Sequence, residues 1–134
     1  YNTLVKSCTF VRNTATWGTS LFLRNSDTWI LQTIIAFDQM GTGIVYCAET
    51  SDPQIYDCCV FGNAAGDSLC GSSSEIIYVD PLFCDMWADD LTLHEDSPCL
   101  PSDPFDELIG AHGEGCGMTA VEVRSWGAIK ALYR

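Results

Sequence analysis

The chain has 134 residues, of which 47% are hydrophobic, and a formal net charge of -12 from 18 Asp and Glu against 6 Lys and Arg. Its length and apolar content indicate one folded domain with a core rather than a disordered tail. The negative charge excludes nucleic acids and anionic lipid surfaces as partners, because both would repel the chain.

Eight cysteines are far more than a chain of this length usually contains. They lack the paired Cys-x2-Cys spacing of structural zinc sites, which favours disulfides and an oxidising compartment. No apolar run approaches the roughly 18 residues of a spanning helix, and no basic-then-apolar leader is present. The chain begins at Tyr1 without a Met. We therefore expect a secreted or cell-surface protein with no membrane span, and interpret the chain as a processed or excised piece.

The first half of the chain is an internal repeat with a period of about 25 residues. The segments that begin at residues 4, 29 and 54 read "LVKSCTFVRN", "WILQTIIAFD" and "QIYDCCVFGN". A second stretch, "TSLFLRNSD" from residue 19, aligns with "IVYCAETSD" from residue 44. Apolar residues then share columns: Val5 with Ile30 and Ile55, Phe10 with Ile35 and Val60, and Val11 with Ala36 and Phe61.

Each repeat holds two short β-rich stretches separated by Gly, Asn, Ser and Asp, and no helical period lies between them. Strands that recur once per coil stack in parallel about 4.8 Å apart. The repeat therefore predicts an all-β fold, a parallel β-helix or β-solenoid with about 25 residues per coil. Asn13, Asp38 and Asn63 end the repeats and are interpreted as corner residues, since Asn and Asp tolerate left-handed backbone.

Several stretches resemble the C-terminal part of secreted bacterial right-handed parallel β-helix repeat proteins. They are "CTFVRNTA", "TIIAFD", "VYCAETSDPQIYDCCVFGNAAGD", "VDPLFCDMWADDLTLHEDSPCLP" and "LIGAHGEGC". The likeness covers roughly residues 4 to 117 and is most specific from Val79 to Cys116. It implies a right-handed solenoid and export from the cell, and it carries over no catalytic residue.

Column geometry limits which cysteines of the repeats can pair. Cys8 and Cys58 share a column two coils apart, about 9.6 Å, which exceeds the ~7 Å limit between bridged Cα atoms. These two should not pair. Cys47 and Cys70 lie close to one repeat apart and form one candidate pair. The neighbours Cys58 and Cys59 should point to opposite faces of a strand, one into the core and one outside.

The later cysteines frame the acidic stretch "DPLFCDMWADDLTLHEDSPC". Cys84 and Cys99 flank it, and a bond between them would close a loop of about 15 residues, worth ~3 kcal/mol in the chain-entropy model. This is the favoured pair, and it predicts a solenoid over residues 1–117 whose last coil is stapled. Cys116 is a further candidate, and eight cysteines allow 105 connectivities.

The acidic stretch also supplies oxygen ligands of the kind that calcium binds, chiefly Asp85, Asp89 and Asp90. Their spacing does not match the EF-hand pattern, so exposed surface is the favoured interpretation and calcium a minor alternative. No other cofactor or metal is expected.

The run "GAHGEGCG" contains His112, Glu114 and Cys116 but lacks the Cys-x-x-Cys of zinc deaminases and the Lys of a P-loop. Neither His94 nor His112 has sequence partners for a nucleophilic triad. We therefore predict no catalytic residue.

Residues 118–134 change in composition and form a predicted amphipathic tail. Ser125 would cap a short helix whose apolar face carries Trp126, Ile129, Leu132 and Tyr133. Such a face must pack against something, either the end of the solenoid or a neighbouring molecule.

A parallel solenoid has two open ends, and no residue before the first repeat is left over for a cap. We therefore predict an extracellular structural unit, not an enzyme, that associates with itself end to end and builds a filament. The candidate contacts are Val5 and Phe10 of the first repeat together with the tail. The alternatives are a carbohydrate-binding or carbohydrate-active module that uses Trp17, Trp29 or Trp87, and an inactive fragment of a longer surface protein.

Overall fold

A computed structural model describes residues 3–116. The predicted amphipathic tail, with Trp126, Ile129, Leu132 and Tyr133, lies outside these residues.

Short strands wind into stacked coils. The first coil contains β1 (Leu4–Lys6), β2 (Thr9–Val11) and β3 (Leu21–Arg24), and the second contains β4 (Trp29–Leu31), β5 (Ile34–Ala36) and β6 (Val45–Ala48). The third contains β7 (Gln54–Tyr56) and β8 (Cys59–Phe61), and a fourth begins with β9 (Ser72–Ser74). The predicted β-solenoid is confirmed.

Three parallel sheets form the sides of the solenoid. Sheet A has the order β1-β4-β7-β9, sheet B the order β2-β5-β8, and sheet C the order β3-β6. The register in sheets A and B follows the predicted repeat: Val5 beside Ile30 beside Ile55, Phe10 beside Ile35 beside Val60, and Val11 beside Ala36 beside Phe61.

Sheet C departs from the predicted alignment by one residue. Leu21 pairs with Val45 and Phe22 with Tyr46, one position less than the full repeat. The full spacing returns after the strands, where the Thr50 hydroxyl donates to the Asn25 side chain. The extra residue of the second coil is absorbed at the corner, where Asn25 and Glu49 both have positive φ.

Left-handed residues make the corners of sheets A and B. Ser7, Gln32 and Asp57 have φ of 55°, 42° and 56° at one corner. Arg12, Phe37 and Gly62 have φ of 57°, 57° and 68° at the next. The left-handed position thus precedes Asn13, Asp38 and Asn63, which were expected to adopt it themselves.

The three polar corner residues instead connect neighbouring coils. The backbone N–H of Asn13 donates to Asp38 Oδ1, and that of Asp38 donates to Asn63 Oδ1, each at 2.9 Å. Asp38, only 2% exposed, also accepts from the Thr19 and Ser20 hydroxyls. At this corner, the side chains of Asp38 and Asn63 therefore form a ladder of hydrogen bonds with the backbone of the preceding coil.

The fourth coil follows after a shorter interval than the others. Trp29 pairs with Gln54 one full repeat later in the chain. Gln54, however, pairs with Ser72 and Cys59 with Ile77, and both of these partners follow after only 18 residues. The third coil has lost residues on its sheet C side, since no strand lies between β8 and β9. No strand of the described chain pairs with the free edge of β6.

Residues 80–116 form a separate layer beside the solenoid rather than the predicted final coil. This side layer holds β10 (Phe83–Asp85), a 3₁₀ helix (Met86–Ala88), β11 (Asp90–His94) and β12 (Glu114–Cys116) in one sheet of order β10-β11-β12. It crosses the coils along the outside of sheet B: Gly110 N–H donates to the Gln32 carbonyl at 2.8 Å, and Ala111 N–H to the Thr9 hydroxyl at 2.9 Å.

Sheet B consequently has an apolar core on each face. Its inward residues join the inner core of the solenoid, made by Leu23, Ile30, Ile35, Ile44, Val45, Ile55, Cys58 and Val60. Its outward residues join the outer core under the side layer, made by Ile34, Ala36, Cys59, Leu93, Cys99 and Ile109. Strand β5 is buried at all three positions because it is covered from both sides.

Candidate functional site

The first coil presents an open strand edge. Within residues 3–116, β1 and β2 pair on one side only, with β4 and β5. The Thr3 carbonyl accepts a hydrogen bond from the Trp29 N–H at 2.8 Å, and the Ser7 N–H donates one to the Leu31 carbonyl at 3.1 Å. Both partners belong to the second coil. Because successive residues of a strand direct their amides to opposite sides, the amides of Leu4 and Lys6 point away from the second coil.

The core side chains of this edge are less buried than their partners in the second coil. Val5 and Phe10 pack on the inner core but are only partly buried, whereas Ile30 and Ile35 beside them are fully buried. Both candidate contact residues thus face the core and lie at its open end. A coil stacked on this edge would bury them as the third coil buries the second.

Within residues 3–116, the opposite end of the inner core is similarly uncovered. Leu69 and Ile76 are partly buried there, and all three residues of β9 are exposed. Sheet A therefore presents one edge at β1 and another at β9, and both ends expose apolar side chains of the same core.

Charge is divided unevenly between the two ends. Lys6, Arg12 and Arg24 all lie in the first coil, and residues 28–116 contain no Lys or Arg. Arg24 binds Glu49 at 2.6 Å and Arg12 binds Asp89 at 2.7 Å, so Lys6 carries the remaining basic charge of this end. The far end carries Glu75, which is exposed beside β9. The two ends thus have opposite charge character.

Exposed aromatic side chains lie on two sheets. On sheet A, Trp29 and Tyr56 are 48% and 46% exposed and line a shallow groove of about 150 Å³ with Gln54 and the hydroxyls of Ser72–Ser74. On the sheet C side, the Tyr46 ring lies 5.4 Å from Phe22 and 5.1 Å from Trp17. Trp17 and Trp29, both considered for carbohydrate binding, are thus on different sides of the solenoid.

Trp87, the third tryptophan considered for carbohydrate, belongs to the contact between the side layer and the first coil. The Arg12 guanidinium lies 5.1 Å from the Trp87 ring centre and 2.7 Å from Asp89. Trp87 is 74% exposed and borders a groove of about 310 Å³ that Phe37 and Phe83 also line.

Two disulfides are present, and one of the predicted pairs is wrong. Cys47 and Cys70 are bonded, as expected, with Cα atoms 6.0 Å apart. Cys84 is bonded to Cys116, with Cα atoms 5.9 Å apart, and not to Cys99. The reason is that β12 lies beside β11, and β11 beside β10, so the sheet of the side layer brings the two ends of its own sequence together.

The other four cysteines are free thiols. Cys8 and Cys58 do not pair, as their separation in the column predicts. Cys58 lies in the inner core, and burial raises its pKa to about 11. Cys59 points to the opposite face, as expected, but the side layer covers it, so it is buried rather than outside.

The acidic residues considered for calcium are each engaged separately. Asp85 accepts from the Ala88 N–H at the start of the 3₁₀ helix, and Asp89 pairs with Arg12. The Thr92 hydroxyl and N–H donate to Asp90 and lower its pKa. No three His, Cys, Asp or Glu side chains in residues 3–116 are grouped so that they could hold a metal ion.

No helix in the described part of the chain has the length and apolar character needed to cross a membrane. No protein-family model, curated protein or solved structure matches the chain.

The side layer was missed in the sequence analysis. A signal for it was present in "TIIAF", where apolar residues occupy both faces of one strand. Such a strand needs cover on each side, and a solenoid core supplies only one.

Proposed function

We propose that this chain is an extracellular structural module that stacks head to tail with copies of itself. The observation that carries the proposal is the open edge of the first coil, where strands with unpaired outer amides lie beside the half-buried Val5 and Phe10. Exposed strand edges with apolar neighbours readily pair with another strand. The proposal assigns the chain no reaction.

The opposite end of a second copy supplies the complementary surface. If β1 of one copy pairs with β9 of another in the register of sheet A, Lys6 occupies the column of Ser74, next to Glu75. The apolar residues Leu69 and Ile76 would then meet Val5 and Phe10 in one continuous core. A contact between two different ends does not close on itself, so it produces fibres rather than rings.

The two disulfides support the proposed location. Cys47–Cys70 joins neighbouring coils and Cys84–Cys116 closes the side layer, and such bonds persist in oxidising compartments. The resemblance to secreted β-helix repeat proteins agrees with this placement.

The test of the assembly is a proline at the open edge. Lys6→Pro removes an outward N–H and leaves the hydrogen bonds to the second coil in place, so it should weaken self-association about tenfold. Sedimentation equilibrium over a range of concentrations measures this, and electron microscopy shows the form of the assembly. Lys6→Ala is the matched control, because it removes the same side chain and keeps the N–H.

Particles that remain monomeric at millimolar concentration would overturn the proposal. That result would favour the inactive fragment of a longer surface protein. Equal association of Lys6→Pro and Lys6→Ala would show that the first coil is not the contact.

A second candidate function is carbohydrate binding on sheet A. The specific observation is the groove between Trp29 and Tyr56, where aromatic rings border serine hydroxyls and the Gln54 amide. Rings of this kind stack on sugars, and the polar groups can bond sugar hydroxyls. Binding to a glycan array should be lost in Trp29→Ala and kept in Trp87→Ala, which removes an exposed tryptophan elsewhere.

A further inference from the structure

We propose that Cys59 and Cys99 form a third disulfide, which fastens the side layer to the third coil. This bond is independent of the assembly proposed above, since both residues belong to the outer core and neither lies at an end of the solenoid.

The two thiols meet in the middle of the outer core. Cys59 points outward from β8, Cys99 belongs to the loop after β11, and their exposed fractions are 0% and 1%. Both pack in the cluster that contains Ile34 and Leu93, and each thiol shifts the pKa of the other, raising that of Cys59 and lowering that of Cys99. Two sulfurs held in contact by different segments of the chain are placed to become a disulfide.

The other free thiols do not compete for this bond. Cys58 directly precedes β8 and points the other way, into the inner core, where it donates to the Tyr56 carbonyl at 3.3 Å. Cys8 lies in the first coil and donates to the Lys6 carbonyl at 3.3 Å. Among the free thiols, therefore, only Cys59 and Cys99 face each other.

The chemistry requires a disulfide as oxidant, and oxidised glutathione is of the right class. Cys99 reacts first as its thiolate, because the loop after β11 that carries it is accessible until the side layer docks. It attacks one sulfur of the oxidant and releases one glutathione thiolate. Cys59 then loses its proton and displaces the second glutathione from Cys99. In total the two cysteines lose two electrons and two protons, and the oxidant becomes two thiols.

Burial determines when this exchange takes place. Neither sulfur is accessible once residues 80–116 cover sheet B. The oxidant therefore reaches the pair during folding, before the side layer docks, and the finished bond is then shielded from reductants.

Peptide mapping of the wild-type protein tests the proposal. The reduced chain is refolded in a glutathione buffer, remaining thiols are alkylated in denaturant, and the product is cut before aspartates. We expect the peptide 57–66 joined to the peptide 96–102, with a mass two hydrogens below the sum of the two peptides after one alkyl group on Cys58 is added. The Cys58→Ser variant assigns the bond to Cys59, because Cys58 and Cys59 share one peptide.

Alkylation of both Cys59 and Cys99 in protein that contains the other two disulfides would overturn the proposal, as would a bond from Cys99 to any other cysteine. A second measurement uses the double variant Cys59→Ala with Cys99→Ala. The Ile109 N–H, which donates to the Cys99 carbonyl, should exchange with solvent at least about tenfold faster than in the oxidised wild type. The Cys8→Ala variant is the control and should not change this rate.

Discussion

Asp38 shows how one corner residue stabilises two coils. Its carboxylate is buried, and it accepts from the Asn13 N–H and from two hydroxyls, while its own N–H donates to Asn63. A buried carboxylate is tolerated when several donors surround it. The corner is therefore a hydrogen-bonded junction as well as a turn.

Asp38→Ala should destabilise the fold by about 3 kcal/mol, because it leaves buried donors without an acceptor. Asp27→Ala is the matched control: Asp27 accepts one backbone N–H, that of Asp52, at an exposed corner. Its removal should change stability by less than about 1 kcal/mol. Urea unfolding of the two variants measures both values, and equal losses would contradict the role given to Asp38.

The sequence predicted these corners but not their backbone. The columns of Asn and Asp were visible at the repeat spacing, whereas the left-handed residues before them are Arg12, Phe37 and Gly62. These three share no side-chain chemistry, so no residue pattern marked them. The bend is imposed by the stacking of the coils, which compensates the cost of about 1 kcal/mol or more at each non-glycine residue.

At the scale of the element, the side layer is held by close backbone contact with sheet B. Gly110 has φ of +105° and donates to the Gln32 carbonyl. A Cβ at this position would lie 2.5 Å from Ile34 Cδ1 and 3.1 Å from the Thr9 hydroxyl oxygen. The layer can therefore approach the coils only because residue 110 has no side chain.

Gly110→Ala should lower stability by about 2 to 3 kcal/mol, since backbone strain and steric overlap add. Gly66→Ala separates the two effects: its φ is +98°, but no atom lies within 4 Å of the added Cβ. We expect a loss of about 1 kcal/mol there. Chemical denaturation of both variants provides the comparison, and a Gly110→Ala variant no less stable than Gly66→Ala would show that the layer does not pack as described.

The strands of the solenoid were predictable because each recurs at a fixed spacing, whereas the side layer occurs once. Cys84 appeared to pair with Cys99 because the two are near in sequence, but β12 brings Cys116 beside β10. Which cysteines pair across a sheet depends on the order of its strands in the folded protein. A single sequence without a repeat does not show that order.

At the scale of the molecule, the charge pattern makes the two ends of the solenoid different. Basic residues lie in the first coil, and acidic residues predominate in the rest of the described chain. Opposite charges at the two ends favour head-to-tail contact over contact between like ends.

Glu75→Lys should therefore weaken self-association about fivefold at low salt, and a Lys6→Glu partner should restore it when the two variants are mixed. Glu75→Gln is the control for loss of charge without reversal. Sedimentation at two salt concentrations measures the effect. If the mixture associates no better than either variant alone, Lys6 and Glu75 do not meet across the contact.

The architecture could be predicted from the sequence for the part of the chain that repeats. Inward columns such as Ile30 with Ile55 specified the coil and its register. The shortened third coil removed the period at the point where Ser72 begins the next strand. The number of coils and the course of the chain beyond them could not be obtained from a repeat that had ended.

The shortened third coil has a geometric consequence for any fibre built from this chain. Sheet A continues to the fourth level and sheet B reaches it through a single bridge between Cys59 and Ile77, but sheet C stops at β6. Four levels of about 4.8 Å make an axial repeat of about 19 Å. In such a fibre the free edge of β6 would recur once per subunit, so sheet C would be interrupted at regular intervals along the fibre while sheet A runs through it.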